Sequence, residues 1–170
     1  MQCWGDFKED NLTQRREGAN NSSCVQRVGN YAWILGRSSM HENELAKIAV
    51  DAIYRIHRSL GPGLFESVYH AVLVHELKKR NLKVESQVPI PVVWEGVHLD
   101  VGFFADIIVE DKLILELKSI EQISQVHRKQ LLTYLRLANC RLGLLVNFGA
   151  ELIRDGITRV VNGLESQAQA

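Results

Sequence analysis

The stretch Gly102–Ser119, GFFADIIVEDKLILELKS, sets three charged groups inside two apolar runs. Phe103 to Val109 and Leu113 to Lys118 are rich in Ile, Val, Leu and Phe, and the polar triplet Glu110, Asp111, Lys112 separates them, which predicts a β-hairpin. With those three residues as the loop, Val109 opposes Leu113, and counting back along the ladder brings Asp106 opposite Glu116. Side chains alternate with a period of two, so Lys118 shares the Glu116 face while Leu115 and Leu117 point away. Two carboxylates and an ammonium therefore converge. Like charges side by side cost free energy, and a divalent cation is one way to neutralise them. Mg²⁺ suits a site of few carboxylates because it keeps several waters. The same residues also fit a plainer pattern, a strand-end Asp and a Glu–Lys pair on a solvated sheet face.

The 170 residues amount to about one domain, long enough for a sizeable core. Lysine plus arginine equals aspartate plus glutamate at 20 each, so net charge advertises no strong non-specific attraction to nucleic acid. Cys3, Cys24 and Cys140 are odd in number and lack metal-type spacing, which fits a reducing cytoplasm. No continuous apolar region opens the chain and no run approaches spanning length, so neither secretion nor membrane insertion is indicated.

Outward from the hairpin, residues 1–39 mix Asn, Ser, Gln, Gly and charges without a helical or alternating period, and read as a poorly ordered extension. Periodic sequence begins near Met40, which suggests Met40 as the native translation start, with residues 40–165 as the domain. From Asn43 to Leu60 apolar residues recur every three or four positions, the stripe of an amphipathic helix, and Gly61-Pro62-Gly63 ends it. A second helix is predicted over Glu66 to Arg80, its basic end suiting a C-terminus. Glu66 in its first turn is explained by dipole compensation or capping, and Tyr69 by core packing.

Pro89 and Pro91 demote Lys83 to Val93 to an edge strand or irregular entry. Val92 to Trp94 and Val97 to Leu99 flank Glu95-Gly96, a second hairpin signal. Consecutive antiparallel strands of this kind predict a sheet with one covered face. Ser124 can cap a helix running to about Ala138, on which Gln130 and Tyr134, four apart, project together. Leu142 to Phe148 suits a strand buried on both faces, Ile153 to Val161 a last edge strand, and Ser166 to Ala170 a flexible tail. The order of elements is α+β.

Asp106 followed by Glu116-Leu117-Lys118 resembles the PD-(D/E)xK nuclease superfamily, and Gly63-Leu64-Phe65-Glu66-Ser67-Val68-Tyr69 is similar to the motif of its GxxExxY protein family. Gln130 to Tyr134 resembles the Gln-x-x-x-Tyr pair of the superfamily's helicase-coupled exonuclease branch. The resemblance spans roughly Asn43 to Val161 and implies a restriction-endonuclease-like core, a central mixed sheet flanked by helices. It further implies Mg²⁺ or Mn²⁺ held by Asp106, Glu116, the Leu117 carbonyl and Glu66, with Lys118 positioning a water. Tyr69, Gln130 and Tyr134 would meet the substrate. One departure is Phe104-Ala105 before Asp106, where family members often carry a basic residue.

Two further readings stand beside a metal-dependent nuclease acting on DNA or RNA. One is a catalytically inactive nucleic-acid-binding or regulatory module that retains the fold, since fold alone does not establish activity. The other is a structural or protein-interaction domain whose acids are ordinary surface groups. Oligomeric state, strandedness and sequence preference are left open by the sequence.

Overall fold

The computed structural model describes residues 40–163. The expectations for residues 1–39, for translation from Met40 and for the tail from Ser166 to Ala170 lie outside the described residues.

Helix α1 (Glu42–Leu60) forms where the apolar stripe predicts it, burying Leu45, Ala49, Ala52, Ile53 and Ile56. Its N-cap is His41, whose Nδ1 accepts the Asn43 N–H while Glu44 reaches back to the His41 N–H at 2.7 Å. Gly61 stops it with φ +69, in the left-handed region that favours glycine. Helix α2 (Glu66–Lys79) buries Tyr69, Leu73 and Leu77 and packs beside α1.

The sheet has five strands in the order β1-β2-β3-β4-β5. β1 (Val84–Trp94) and β2 (Val97–Val109) form a long antiparallel hairpin around Glu95 and Gly96, both at positive φ. β1 is an edge strand, as its prolines require, and its register shifts between Ile90 and Val92, around Pro91. β2 and β3 (Leu113–Lys118) make the central hairpin with Val109 opposite Leu113, and Glu110 and Asp111 turn the chain at positive φ. Helix α3 (Gln125–Leu137) carries the chain over to β4 (Leu142–Asn147), which lies parallel to β3. A short helix, α4 (Ile153–Gly156), precedes β5 (Ile157–Val161), the opposite edge. The segment expected as one edge strand is therefore a helical turn followed by a strand.

Helices cover both faces, which corrects the expectation of a single covered face. Leu113, Leu115 and Leu117 join α1 and α2 in one core, while Ile114 and Leu145 join Leu131, Tyr134 and Leu135 of α3 in another. Two covered faces explain why β4 is buried at all six positions and reads as an uninterrupted apolar run. The result is an α+β domain with a mixed sheet flanked by helices, consistent with a restriction-endonuclease-like core. No described helix is long and apolar enough to cross a membrane.

Candidate active site

The β2–β3 ladder ends one pair early. Its last partners are Ile107 and Leu115, so continuing the register would set Asp106 against Glu116, but the strands separate there. In place of a further backbone bond, the Leu117 N–H donates to Asp106 Oδ2 at 2.8 Å. The other side of β2 is irregular at the same point. Ser86 pairs with Ile107 and Val88 with Ala105, while Gln87, at φ +49, drops out of the ladder beside Asp106. Ala105 consequently packs in the α3 core and Ile107 in the α1/α2 core, although strict alternation would put both on one side. Asp106 occupies this break. Gln87 Nε2 donates to its Oδ1 at 3.2 Å, and the His70 ring Nε2 lies 3.1 Å from its carbonyl oxygen.

Glu116 is 3 % exposed, and β3's alternation turns it with Lys118 toward the α3 side. Lys118 Nζ donates to Glu116 Oε1 at 2.8 Å and to the Leu117 carbonyl at 2.6 Å. Glu116 Oε2 is buried and has no hydrogen-bond partner among the described residues. Burial pushes the Glu116 carboxyl above its ordinary range, and the negative charges of Asp106 and Glu66 add to the rise against the opposing pull of Lys118. Burial works to lower the Lys118 ammonium, but its hydrogen bond to Glu116 and the charges of Glu116, Glu66 and Asp106 outweigh that effect and raise it. Glu66, at the start of α2, is thus close enough for its charge to act on both groups from the other face of the sheet.

These groups suit a small hard cation. A buried carboxylate oxygen with no partner among the described residues, a second carboxylate and a carbonyl oxygen nearby offer a set that Mg²⁺ or Mn²⁺ would complete with waters. Among the described residues no three His, Cys, Asp or Glu side chains form a ready-made metal cage. The Lys118 ammonium already bridges two prospective ligand atoms, Glu116 Oε1 and Leu117 O, so a cation there requires the ammonium to swing aside.

Tyr69 lies elsewhere. It is fully buried, its ring stacks on Phe148 with centroids 4.3 Å apart, and its hydroxyl donates to the Gly61 carbonyl at 2.6 Å and accepts from the Leu64 N–H at 3.2 Å. Of the two readings of Tyr69 from sequence, core packing describes this placement. With no surface left to present, it anchors the turn that leads into Glu66. Gln130 and Tyr134 do project together, Gln130 Nε2 donating to the Tyr134 hydroxyl at 2.6 Å. Tyr134 is largely buried beneath α3 against Phe103, on the side to which Glu116 and Lys118 turn.

Four residues that sequence patterns did not single out shape this region. Gln87 and His70 hold Asp106, as described above. Asn147, opposite Lys118 in the β3–β4 register, receives the Ile120 and Gly149 N–H groups on Oδ1 and donates from Nδ2 to the Ile120 carbonyl. Ser119 Oγ donates to the Leu64 carbonyl at 2.7 Å and joins the end of β3 to the turn before α2. Only Gln87 carried a signal, its place between the β1 alternation and Pro89, and even that needed the register to interpret. Asn147 was hidden inside an apolar strand. A Cβ at Gly149 would come within 2.5 Å of the Ile120 carbonyl oxygen. Gly149→Ala is therefore expected to lower stability by about 1–3 kcal/mol in a urea titration, by pushing backbone against backbone.

A larger open cleft of about 610 Å³, between α1 and α4, has Arg55, Arg58 and Arg154 among its walls and none of the groups just described. Arg55 there is bridged to Glu76 and Arg154 to Asp155.

The fold and the Asp, Glu-x-Lys arrangement define a nuclease-like class of protein. The family model described as the PD-(D/E)XK nuclease superfamily matches residues 43–160, most of the chain. This chain belongs to that superfamily. No curated protein and no solved structure gives a match.

Proposed function

We propose that the chain hydrolyses phosphodiester bonds of DNA or RNA with Mg²⁺ or Mn²⁺, in the manner of the GxxExxY branch of its superfamily. The observation that carries this reading is Glu116, a buried carboxylate with one oxygen on Lys118, the other unpartnered, and the charges of Asp106 and Glu66 bearing on it. A bound divalent ion would polarise the phosphate and neutralise developing charge. Asp106 and Glu116 would hold it, helped by the Leu117 carbonyl and Glu66. Lys118, released from the Leu117 carbonyl, keeps its three donors beside Glu116 and orients the attacking water while stabilising negative charge on the phosphate oxygens. Gln130 and Tyr134 supply an amide and a phenol to steady the substrate backbone.

Cleavage of labelled single- and double-stranded DNA and RNA, with and without Mn²⁺, compared with Lys118→Ala, tests the activity. Metal alone gives a second expected outcome. At about 100 times its dissociation constant, Mn²⁺ should stabilise the protein by about 2.7 kcal/mol, read as a rise in melting temperature that Asp106→Asn removes. Nucleic-acid binding without cleavage in any metal would leave the non-catalytic module, and neither binding nor cleavage would leave the interaction domain.

A further inference from the structure

The turn before α2 and the turn after β3 run side by side, and between them lies an open groove of about 450 Å³. Pro62, Leu64 and Phe65 line one wall, Ile120 and Glu121 the other, with Gly149 between them. We infer that this groove binds a single unpaired nucleobase, with the Phe65 ring stacking on it, next to the phosphate handled at Glu116 and Lys118. The inference rests on the nuclease reading and adds a substrate class to it.

Phe65 is 83 % exposed, more than Val126 at 69 % or Trp94 at 68 %, the next most exposed large apolar residues described. Leaving an aromatic ring in water forgoes the free energy of burying it, and such a ring is well suited to a ligand with a flat apolar face. Its backbone is held firmly. The Phe65 carbonyl accepts the Val68 and Tyr69 N–H groups, Tyr69 ties down Gly61 and Leu64, and Ser119 ties Leu64 to the far wall. A ring on a fixed base loses little freedom when a ligand stacks on it.

The chemistry of the walls selects a base over a phosphate. Among the described residues, no lysine or arginine lines the groove. The one charged group among its described lining residues, the Glu121 carboxylate, would repel a phosphate and accept hydrogen bonds from exocyclic amines such as those of adenine, cytosine or guanine. Every base has a π face, so stacking tolerates sequence, whereas a paired base inside a duplex offers that face only after unstacking. Placement points the same way. Phe65 directly precedes Glu66 and Ser119 directly follows Lys118, so the groove opens at the end of β3 that carries the proposed site. The inferred substrate is a single strand, or an end or loop with unpaired bases.

The test uses the full chain and oligonucleotides carrying the fluorescent base 2-aminopurine, read by quenching in Ca²⁺ and by cleavage in Mn²⁺. Phe65→Ala should weaken single-strand binding about tenfold and raise KM on single strands more than it lowers kcat, while Phe65→Trp restores both. Unchanged quenching and unchanged KM in Phe65→Ala, with cleavage intact, would overturn the groove and leave the nuclease reading standing. Quenching that depends on Phe65 without cleavage by the wild-type chain would keep the groove and remove hydrolysis. Neither binding nor cleavage by the wild type would overturn both. A large fall in melting temperature for Phe65→Ala with unchanged affinity would show the ring packed against protein, and would also overturn the inference.

Discussion

Glu116→Gln is expected to cut metal-dependent cleavage by about 10³-fold or more and, at the same time, to make the metal-free protein more stable at neutral pH. The two effects share one cause. Glu116 is buried, one of its oxygens has no partner, and Asp106 and Glu66 bring two further negative charges to bear on it. Ionised, it is only partly compensated by Lys118 until a divalent cation arrives, because burial and the two neighbouring acids outweigh that pairing, and a neutral amide of the same shape removes that cost along with the cation's ligand. The pH dependence follows from the direction of its shift. Its pKa in the folded chain lies above the ordinary value of 4.5, so the native state holds this proton more tightly than the unfolded state does. Its contribution to stability is full below the ordinary glutamate range and is lost as pH rises through the raised folded value. Melting curves in a chelator should therefore show wild type losing stability relative to Glu116→Gln across that window. Added Mn²⁺ should then raise the melting temperature of wild type alone. Equal stability of the two proteins at every pH would contradict the buried, unsatisfied state of this carboxylate.

Tyr69→Ala is expected to cost about 3–5 kcal/mol, a large share of the roughly 5–15 kcal/mol that holds a domain of this kind together. The residue is fully buried and stacked almost parallel to Phe148, with 5° between the rings. Truncation leaves a cavity under the turn from Gly61 to Phe65. Tyr69→Phe separates packing from hydrogen bonding. It keeps the stack and strips the hydroxyl from the Gly61 carbonyl and the Leu64 N–H, at about 1–3 kcal/mol. Urea titration of the three proteins reads both numbers. A Tyr69→Phe protein as stable as wild type would mean that the turn is held by something other than this hydroxyl.

Elements that rest on local periodicity were legible. The stripe of α1, the Ser124 start of α3, the double-sided burial of β4 and the Val109–Leu113 register each follow from spacing within a few residues. The family motif also drew attention to Tyr69, but the motif could not say which way its hydroxyl turns, and in the fold it is satisfied inward by Gly61 and Leu64. Asp106 shows the other limit. Alternation counted through it assumes a regular ladder, whereas Gln87 at positive φ and the parting of β2 from β3 break the ladder at that residue. The register on either side of it is unchanged, so the break depends on how three strands meet at one point, and no single strand encodes it.

The sequence alone determined the three long helices, the central hairpin and the placing of an aspartate on one of its strands and a Glu-x-Lys on the other, because those depend on neighbours within one or two turns of chain. Tertiary structure alone decided that α2, with Glu66 at its start, packs on the opposite face, that Lys118 bridges Glu116 and the Leu117 carbonyl, and that Asn147 pins the turn after β3. Those contacts bring together residues far apart in the chain, and their burial fixes the charges at the site.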